Sequence, residues 1–222
     1  AHRYCHTSPY ASLNSVTDNP VILLGAESEN KAFSAGLFHG EPVGMAADHL
    51  KLCLVELGAL SERRIYRLTT GNLSARLPPL LAEQEEAGLG LMMPQVSAAA
   101  LVSENRALAY PASADSIPTC EDQEDHVAMS TTAARRATEV LRNTEMIIAV
   151  ELLAAAKGLW ARSEHEPVVY GTGTAAALGV VEHALGGRTM SAAPSDDLTR
   201  LLEVIRSDAL PEAVAAAGVT LG

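Results

Sequence analysis

The feature that most constrains this chain is a long helix-forming stretch near its middle. The pattern from Gln123 to about Ala161 predicts one continuous helix, longer than most helices of globular proteins. A helix of that length usually runs through a bundle, where neighbouring helices cover it. We therefore expect an all-α fold built around long helices.

Other parts of the chain repeat the helical pattern. Pro42 suits a first helical turn, and the helix that follows should end near Leu68. Its apolar positions recur at spacings of one, three and four. This predicted face comprises Met45, Ala46, Leu50, Cys53, Leu54, Leu57 and Leu60. Further helices are predicted at 94–110, 172–186, 195–207 and 210–218, joined by loops rich in proline, glycine and serine.

The opening of the chain lacks this pattern. Residues 1–40 are irregular, and only Val21–Leu24 suggests a short extended segment. We therefore predict an irregular segment at 1–40 and a helical bundle domain at 41–222.

Charge and hydropathy exclude some classes of partner. The 27 acidic residues outnumber the 16 basic ones, for a net charge of −11, and no Lys/Arg cluster offers a nucleic-acid or anionic membrane surface. The most apolar stretch, Met146–Trp160, is interrupted by Glu151 and Lys157. It predicts a buried helix rather than a membrane span. We expect neither nucleic-acid nor membrane binding.

The cysteines indicate a reduced, cytoplasmic protein. The chain has an odd number of cysteines, Cys5, Cys53 and Cys120, and no CxxC motif. Cys53 falls in an apolar helical stretch, so we expect it to be a small core residue.

The densest chemistry lies in Cys120–His126, where four carboxylates occupy five positions. One interpretation is a helix start, where acids satisfy free N–H groups and the helix dipole. A metal site is a second, although no strict ligand spacing such as HExxH occurs. A catalytic carboxylate is the third, since neighbouring acids can keep one proton available near neutral pH.

Two further segments each allow a plain and a functional interpretation. Gly36–Pro42 is either a glycine-rich entry to a helix or a turn whose Phe38 and His39 line a pocket at a helix N-terminus. Val168–Ala176 mimics the GxGxxA dinucleotide signature, but no βαβ pattern surrounds it, so a loop entering a helix is favoured. No pattern ties a serine or cysteine nucleophile to a histidine.

Six ordered segments together resemble the aromatic amino acid ammonia-lyases and aminomutases. They are Asn14–Pro20, Phe38–Pro42, Glu56–Arg64, Gln95–Asn105, Pro111–Thr119 and Gln123–Met129. The sequence Gln-Glu-Asp-His in the last segment is most similar to histidine ammonia-lyase, and the chain resembles the C-terminal half of such an enzyme.

The resemblance implies a fold, a cofactor and an assembly. It implies a bundle of long helices that forms a tetramer, with active sites built from several subunits. It also implies a methylidene-imidazolone (MIO) electrophile, formed by cyclisation of an internal Ala-Ser-Gly. The electrophile takes up electrons from a small amino acid substrate, ammonia leaves, and a base removes the β-proton.

Particular residues match positions of the family's active site. Tyr4 resembles the loop tyrosine close to the electrophile and the substrate, within an active-site loop segment at 1–40. Phe38 resembles the pocket aromatic, with His39 beside it. Glu124 resembles the carboxylate that faces the substrate's amine or imidazole, and Gln123 is its neighbour.

The chain also departs from the family. It contains no Ala-Ser-Gly, so it cannot form MIO alone. His6 falls where the family has a carboxylate-binding arginine, and imidazole cannot make the bidentate pair of guanidinium. Ala1 and Leu37 replace a glutamine and an asparagine, and family sequence is missing between Pro9 and Asn14.

Three hypotheses follow from these matches and departures. The chain could be the C-terminal part of a lyase that is completed by an N-terminal-half partner chain carrying Ala-Ser-Gly. It could instead be a lyase-fold binding or scaffold protein that has lost catalysis. The third hypothesis is an aminomutase, or a lyase for a different amino acid.

Overall fold

The computed structural model describes residues 9–24, 31–82, 89–165, 167–191 and 193–220, and these are mostly helical. Within them the chain forms six α-helices of eight residues or more. These are α1 (Glu41–Thr69), α2 (Met92–Leu108), α3 (Ser130–Ser163), α4 (Thr172–Leu185), α5 (Pro194–Arg206) and α6 (Ala209–Ala216). The predicted all-α, long-helix class is confirmed. None of these helices is both long and apolar enough to cross a membrane.

Short elements of other kinds precede and separate these helices. Strand β1 (Val21–Ile22) pairs antiparallel with β2 (Ala32–Phe33), which fits the predicted extended segment near Val21. In the described ranges, 3₁₀ turns occur at Leu37–His39, Pro79–Leu81 and Ala112–Ala114. Residues 9–13 are also helical.

The predicted start of the longest helix is wrong. The helix α3 begins at Ser130 rather than at Gln123. The residues before Ser130 do not extend the right-handed helix, because Met129 has φ of 47° and Glu124 pairs with Thr119 in an isolated antiparallel bridge. The acids in this segment therefore do not cap α3.

The described residues divide into two compact units, the first within Ala1–Glu56 and Asn105–Leu141 and the second within Leu57–Glu104 and Arg142–Gly222. The predicted boundary at residue 40 stays a prediction.

In the first unit, a buried ion pair joins α1 to the loop after α2. Lys51 Nζ donates to Asp48 Oδ1 at 2.6 Å and to the Tyr110 carbonyl at 2.8 Å, and the Ser113 N–H donates to Asp48 Oδ2 at 2.8 Å.

The second unit holds the larger apolar core. Its main cluster includes Leu77, Leu81, Leu91, Leu153, Trp160, Leu178, Val181, Leu185 and Leu201. A second cluster comprises Ile65, Ala98, Val102, Ile147 and Val150. Glu151 of α3 also accepts hydrogen bonds from Ser61 and Arg64 of α1. Each fully buried Leu, Ile or Val stabilises the fold by about 1.5–3 kcal/mol.

The predicted core position of Cys53 is wrong, because its side chain is exposed. The apolar face predicted for α1 is largely exposed as well, with Met45, Leu50, Leu57 and Leu60 between 42% and 51% accessible. The buried positions of α1 are instead mostly polar, small or charged: Ala46, Asp48, Lys51, Ser61, Glu62, Ile65 and Thr69. Apolar periodicity located the helix but not the side that this chain buries.

Candidate active site

The first segment of the candidate site is the 3₁₀ turn Leu37–His39, which leads directly into α1. The turn ends at Gly40, whose N–H donates to the Leu37 carbonyl at 3.0 Å. Gly40 has φ +72°, a left-handed backbone conformation that residues with a Cβ adopt only at a cost in conformational energy. The backbone changes direction at Gly40, so Phe38 and His39 lie just before the start of α1.

The second segment is the loop before α3. Thr119 and Glu124 form an antiparallel bridge, with hydrogen bonds of 3.0 Å and 3.3 Å between their backbones. The three residues after Thr119 turn through left-handed φ values. Farther along, the Val127 N–H donates to Ser116 Oγ at 2.9 Å. Both sides of the Glu124 backbone are therefore tied to the preceding loop.

The two segments meet at His39 and Glu124. Nε2 of His39 lies 2.5 Å from Oε2 of Glu124, and their side chains are 23% and 29% exposed. An ionised carboxylate can only accept hydrogen bonds, so Nε2 carries the proton that is shared in this contact. A hydrogen bond to an ionised carboxylate is charge-assisted and therefore stronger than a bond between neutral groups.

Neighbouring groups also hold the ring and the backbone of His39 in place. The Phe38 ring lies beside it, with 4.3 Å between ring centroids and 41° between planes. Ser130 Oγ, in the first turn of α3, donates to the His39 carbonyl at 2.9 Å. Close packing continues at Gly44, where a Cβ would lie 3.2 Å from the Ala128 carbonyl oxygen. The entry to α1 is thus packed against the start of α3.

A second imidazole–carboxylate pair joins the same two segments. His126 Nε2 lies 3.4 Å from Glu41 Oε2, with side chains 61% and 33% exposed. Each segment therefore contributes one histidine and one glutamate, two residues apart. Sequence reasoning missed the cross-pairing. The available signal was that both motifs, His39-Gly40-Glu41 and Glu124-Asp125-His126, contain a histidine and a glutamate at the same spacing.

The predicted site residues are only partly brought together. Phe38, His39 and Glu124 form one contiguous group. Gln123 is exposed, and its backbone N–H donates to the Cys120 carbonyl at 3.1 Å. Tyr4 and His6 lie outside the described residues, so their predicted roles stay predictions.

The chemistry available here is that of an oriented carboxylate beside an aromatic ring. Within the described part of the chain, no group of three or more His, Cys, Asp and Glu residues could hold a metal ion. The described side-chain contact of Glu124 uses Oε2. Oε1 could therefore accept a hydrogen bond from an N–H group of a ligand, while the Phe38 ring could pack against an apolar or aromatic part of it.

Comparisons with known proteins connect this group to one family. The profile of the family described as aromatic amino acid lyase matches residues 1–183. A histidine ammonia-lyase from Photobacterium profundum is 52% identical over 153 residues, which cover 69% of this chain and 29% of that protein. Another from Natranaerobius thermophilus is 44% identical over 174 residues, covering 78% of this chain and 33% of that protein.

Solved structures give the same result for the fold. The structure of histidine ammonia-lyase from Trypanosoma cruzi matches with a TM-score of 0.83 and 38% identity, covering 92% of this chain and 40% of that one. The tyrosine aminomutase from Streptomyces globisporus matches with a TM-score of 0.85 and 30% identity, covering 99% and 41%. The chain thus spans about a third of the length of the curated relatives it matches.

Proposed function

Because this chain belongs to the aromatic amino acid lyase family, we propose that it supplies part of the active site of a histidine-type ammonia-lyase. The reaction eliminates ammonia from an L-amino acid, with L-histidine as the proposed substrate and urocanate as the product. One observation carries the proposal: the Glu124 carboxylate is held by His39 beside Phe38, on two segments that match the family. The similarity to histidine ammonia-lyases supports the choice of substrate.

The chain's own residues have distinct proposed tasks. Glu124 would accept a hydrogen bond from the amine or imidazole N–H of the substrate and so orient it. Phe38, which is 40% exposed, would pack against the substrate ring. Gln123 would lie at the edge of the pocket. In the overall elimination the Cα–N bond breaks, the β-carbon loses a proton and a carbon–carbon double bond forms. We propose that Tyr4 acts next to the electrophile and the substrate, and that His6 takes the position of the family's carboxylate-binding arginine.

We propose that the electrophile comes from polypeptide outside this sequence. The family is MIO-dependent, and this group supplies the electrophile that takes up the substrate's electrons. The present chain contains no Ala-Ser-Gly from which MIO could form, so its residues alone do not fit the cofactor. We propose that an N-terminal-half partner chain carries the tripeptide and that the two assemble into a tetramer-like oligomer.

Reconstitution tests the proposal directly. The chain is co-expressed with the N-terminal portion of the Photobacterium profundum histidine ammonia-lyase, which carries the remaining family sequence. We expect the two chains to co-purify as a complex that converts L-histidine to urocanate. The ultraviolet absorbance of urocanate measures the rate of product formation. Glu124→Gln should lower kcat by about 100-fold, because the neutral amide no longer orients the substrate N–H group in the same way.

Two outcomes of this experiment contradict the proposal. One is a folded complex that forms no unsaturated acid from any aromatic amino acid or histidine, which would favour a scaffold role. The other is turnover that Glu124→Gln leaves unchanged, which would remove Glu124 from the site. A variant of the N-terminal portion in which the serine of Ala-Ser-Gly is replaced by alanine serves as the control for contaminating host lyase.

A second candidate function is that of an aminomutase. It is favoured by the similarity to tyrosine aminomutase across 99% of this chain. An aminomutase returns the ammonia to the β-carbon, so its product is a β-amino acid rather than an unsaturated acid. Chromatographic identification of the product from L-histidine and L-tyrosine separates the two functions.

A further inference from the structure

We infer that His39 is a positioning residue for Glu124 rather than a substrate ligand. The inference rests on the proposed function, in which Glu124 faces the substrate. It assigns His39 the task of fixing one carboxylate oxygen, so that the other points toward the substrate in a single orientation. It also replaces our sequence-based expectation that His39 itself lines the pocket.

The imidazole Nε2 of His39 is already engaged. Nε2 of His39 already donates to Glu124 Oε2 at 2.5 Å. A substrate group could take that nitrogen only by breaking a charge-assisted hydrogen bond, which is stronger than a neutral one. Within the described residues, Glu124 Oε1 has no comparable contact, so the carboxylate keeps one free acceptor.

His39 is itself held firmly by its surroundings. Its ring packs against Phe38, and its carbonyl accepts the hydrogen bond from Ser130 Oγ. The left-handed Gly40 follows immediately and fixes the exit of the backbone. Because both the ring and the backbone of His39 are already held in place, the residue loses little additional conformational entropy when it binds Glu124.

The pair of His126 and Glu41 provides a contrast. That pair has the same chemistry and joins the same two segments, but its distance is 3.4 Å and its histidine is 61% exposed. Exposed ion pairs contribute little, because water screens them. Only the His39–Glu124 pair combines a short distance with partial burial, so it is the one suited to fixing a carboxylate.

A double-mutant cycle in the reconstituted complex tests the inference. We expect His39→Leu to lower kcat by about 100-fold, since a misplacement of roughly 1 Å is enough for that loss. His39→Gln, whose amide can still donate, should recover most of the turnover. In a Glu124→Gln background, His39→Leu should have almost no further effect, because its role passes through the carboxylate. His126→Gln is the matched control and should leave kcat within about twofold.

Two kinetic results would overturn the inference. In one, His39→Leu costs the same factor with and without Glu124, which would mean that His39 touches the substrate itself. In the other, His39→Gln is as inactive as His39→Leu although circular dichroism shows that both variants fold.

A measurement without turnover separates this inference from the proposed function. In this chain labelled with ¹³C at histidine Cε1, Glu124→Gln should shift one imidazole signal strongly. That signal should be the one that disappears in His39→Gln, while the signal lost in His126→Gln stays in place. If no imidazole signal responds to Glu124→Gln, the pairing is absent and the inference fails. A wild-type complex without turnover contradicts the proposed function, and the NMR result still decides whether the pair exists.

Discussion

At the scale of single residues, the most informative group outside the site is the buried pair of Asp48 and Lys51. Their side chains are 5% and 0% exposed. Burial alone would raise the pKa of Asp48, but hydrogen bonds from Lys51 and from the Ser113 backbone outweigh it and hold the pKa below its ordinary value. Breaking such a pair is costly, because it leaves one charge buried without its partner.

This lowered pKa makes part of the stability pH-dependent. The folded carboxyl group stays ionised to lower pH than the unfolded one, whose pKa is about 3.9. Its contribution is therefore complete above that value and is lost as the pH falls through the folded pKa. We expect Asp48→Asn to lower the free energy of unfolding by a constant amount between about pH 5 and pH 7, with the difference shrinking below about pH 4. Urea denaturation across this range measures it.

The matched control is Asp208→Asn, since Asp208 is exposed and its side chain makes no capping hydrogen bond. Its difference from the wild-type protein should change little with pH. If Asp48→Asn lowered the free energy of unfolding by the same amount at pH 3 and pH 7, the buried contacts of Asp48 would not favour its ionised form. The interpretation would then fail.

At the scale of elements, the junction between the 3₁₀ turn and α1 depends on Gly40. A Cβ there would lie 3.1 Å from Ser130 Oγ, and φ is +72°. We expect Gly40→Ala to destabilise the protein by about 1–2 kcal/mol from the left-handed backbone alone, and to weaken the Ser130–His39 hydrogen bond. Gly179→Ala is the matched control, because a Cβ at that exposed position of α4 meets nothing within 4 Å.

The control substitution should stabilise the protein slightly, by up to about 1 kcal/mol, since alanine is the better helix former. Thermal unfolding followed by circular dichroism compares the two variants. The role assigned to Gly40 would be wrong if both substitutions changed the stability by the same amount.

The sequence predicted most elements because their signals are local. Pro42 and the spacing of apolar residues placed α1 within a residue or two of Glu41–Thr69. The start of α3 was missed because Met129 adopts a left-handed φ without being glycine and Glu124 pairs with Thr119, and no local signal marks either feature. The exposed leucines of α1 were assigned to the core because periodicity reports an apolar face, not whether the chain itself covers it.

At the scale of the whole molecule, the candidate site was predictable only as a set of motifs. The resemblance placed Phe38 and Glu124 in one site, but neither motif alone indicates that His39 and Glu124 touch across 85 positions. That contact depends on the packing of α1 against the start of α3, where Ser130 meets Gly40 and Gly44. Long-range packing of this kind has no signature in local sequence. The proposed electrophile followed only from the family resemblance, since this chain contains no Ala-Ser-Gly.

The net charge of −11 gives a further prediction for the whole molecule. Mutual repulsion of surplus charge destabilises a compact state. Salt weakens this repulsion, because the Debye length falls from about 30 Å at ~0.01 M to about 8 Å at ~0.15 M. Salt also weakens exposed ion pairs such as Arg206–Glu145, whose arginine is 54% exposed, but such pairs contribute little at the outset. The buried Asp48–Lys51 pair is screened much less.

The repulsion term should therefore win, and the unfolding temperature should rise between these two salt concentrations. Differential scanning calorimetry at pH 7 measures the change. The double variant Glu139→Gln with Glu203→Gln removes two exposed negative charges, from −11 to −9, and should show a smaller rise. If the unfolding temperature fell on adding salt, attraction between surface charges would outweigh repulsion. The acidic excess would then be arranged in stabilising pairs rather than spread over the surface.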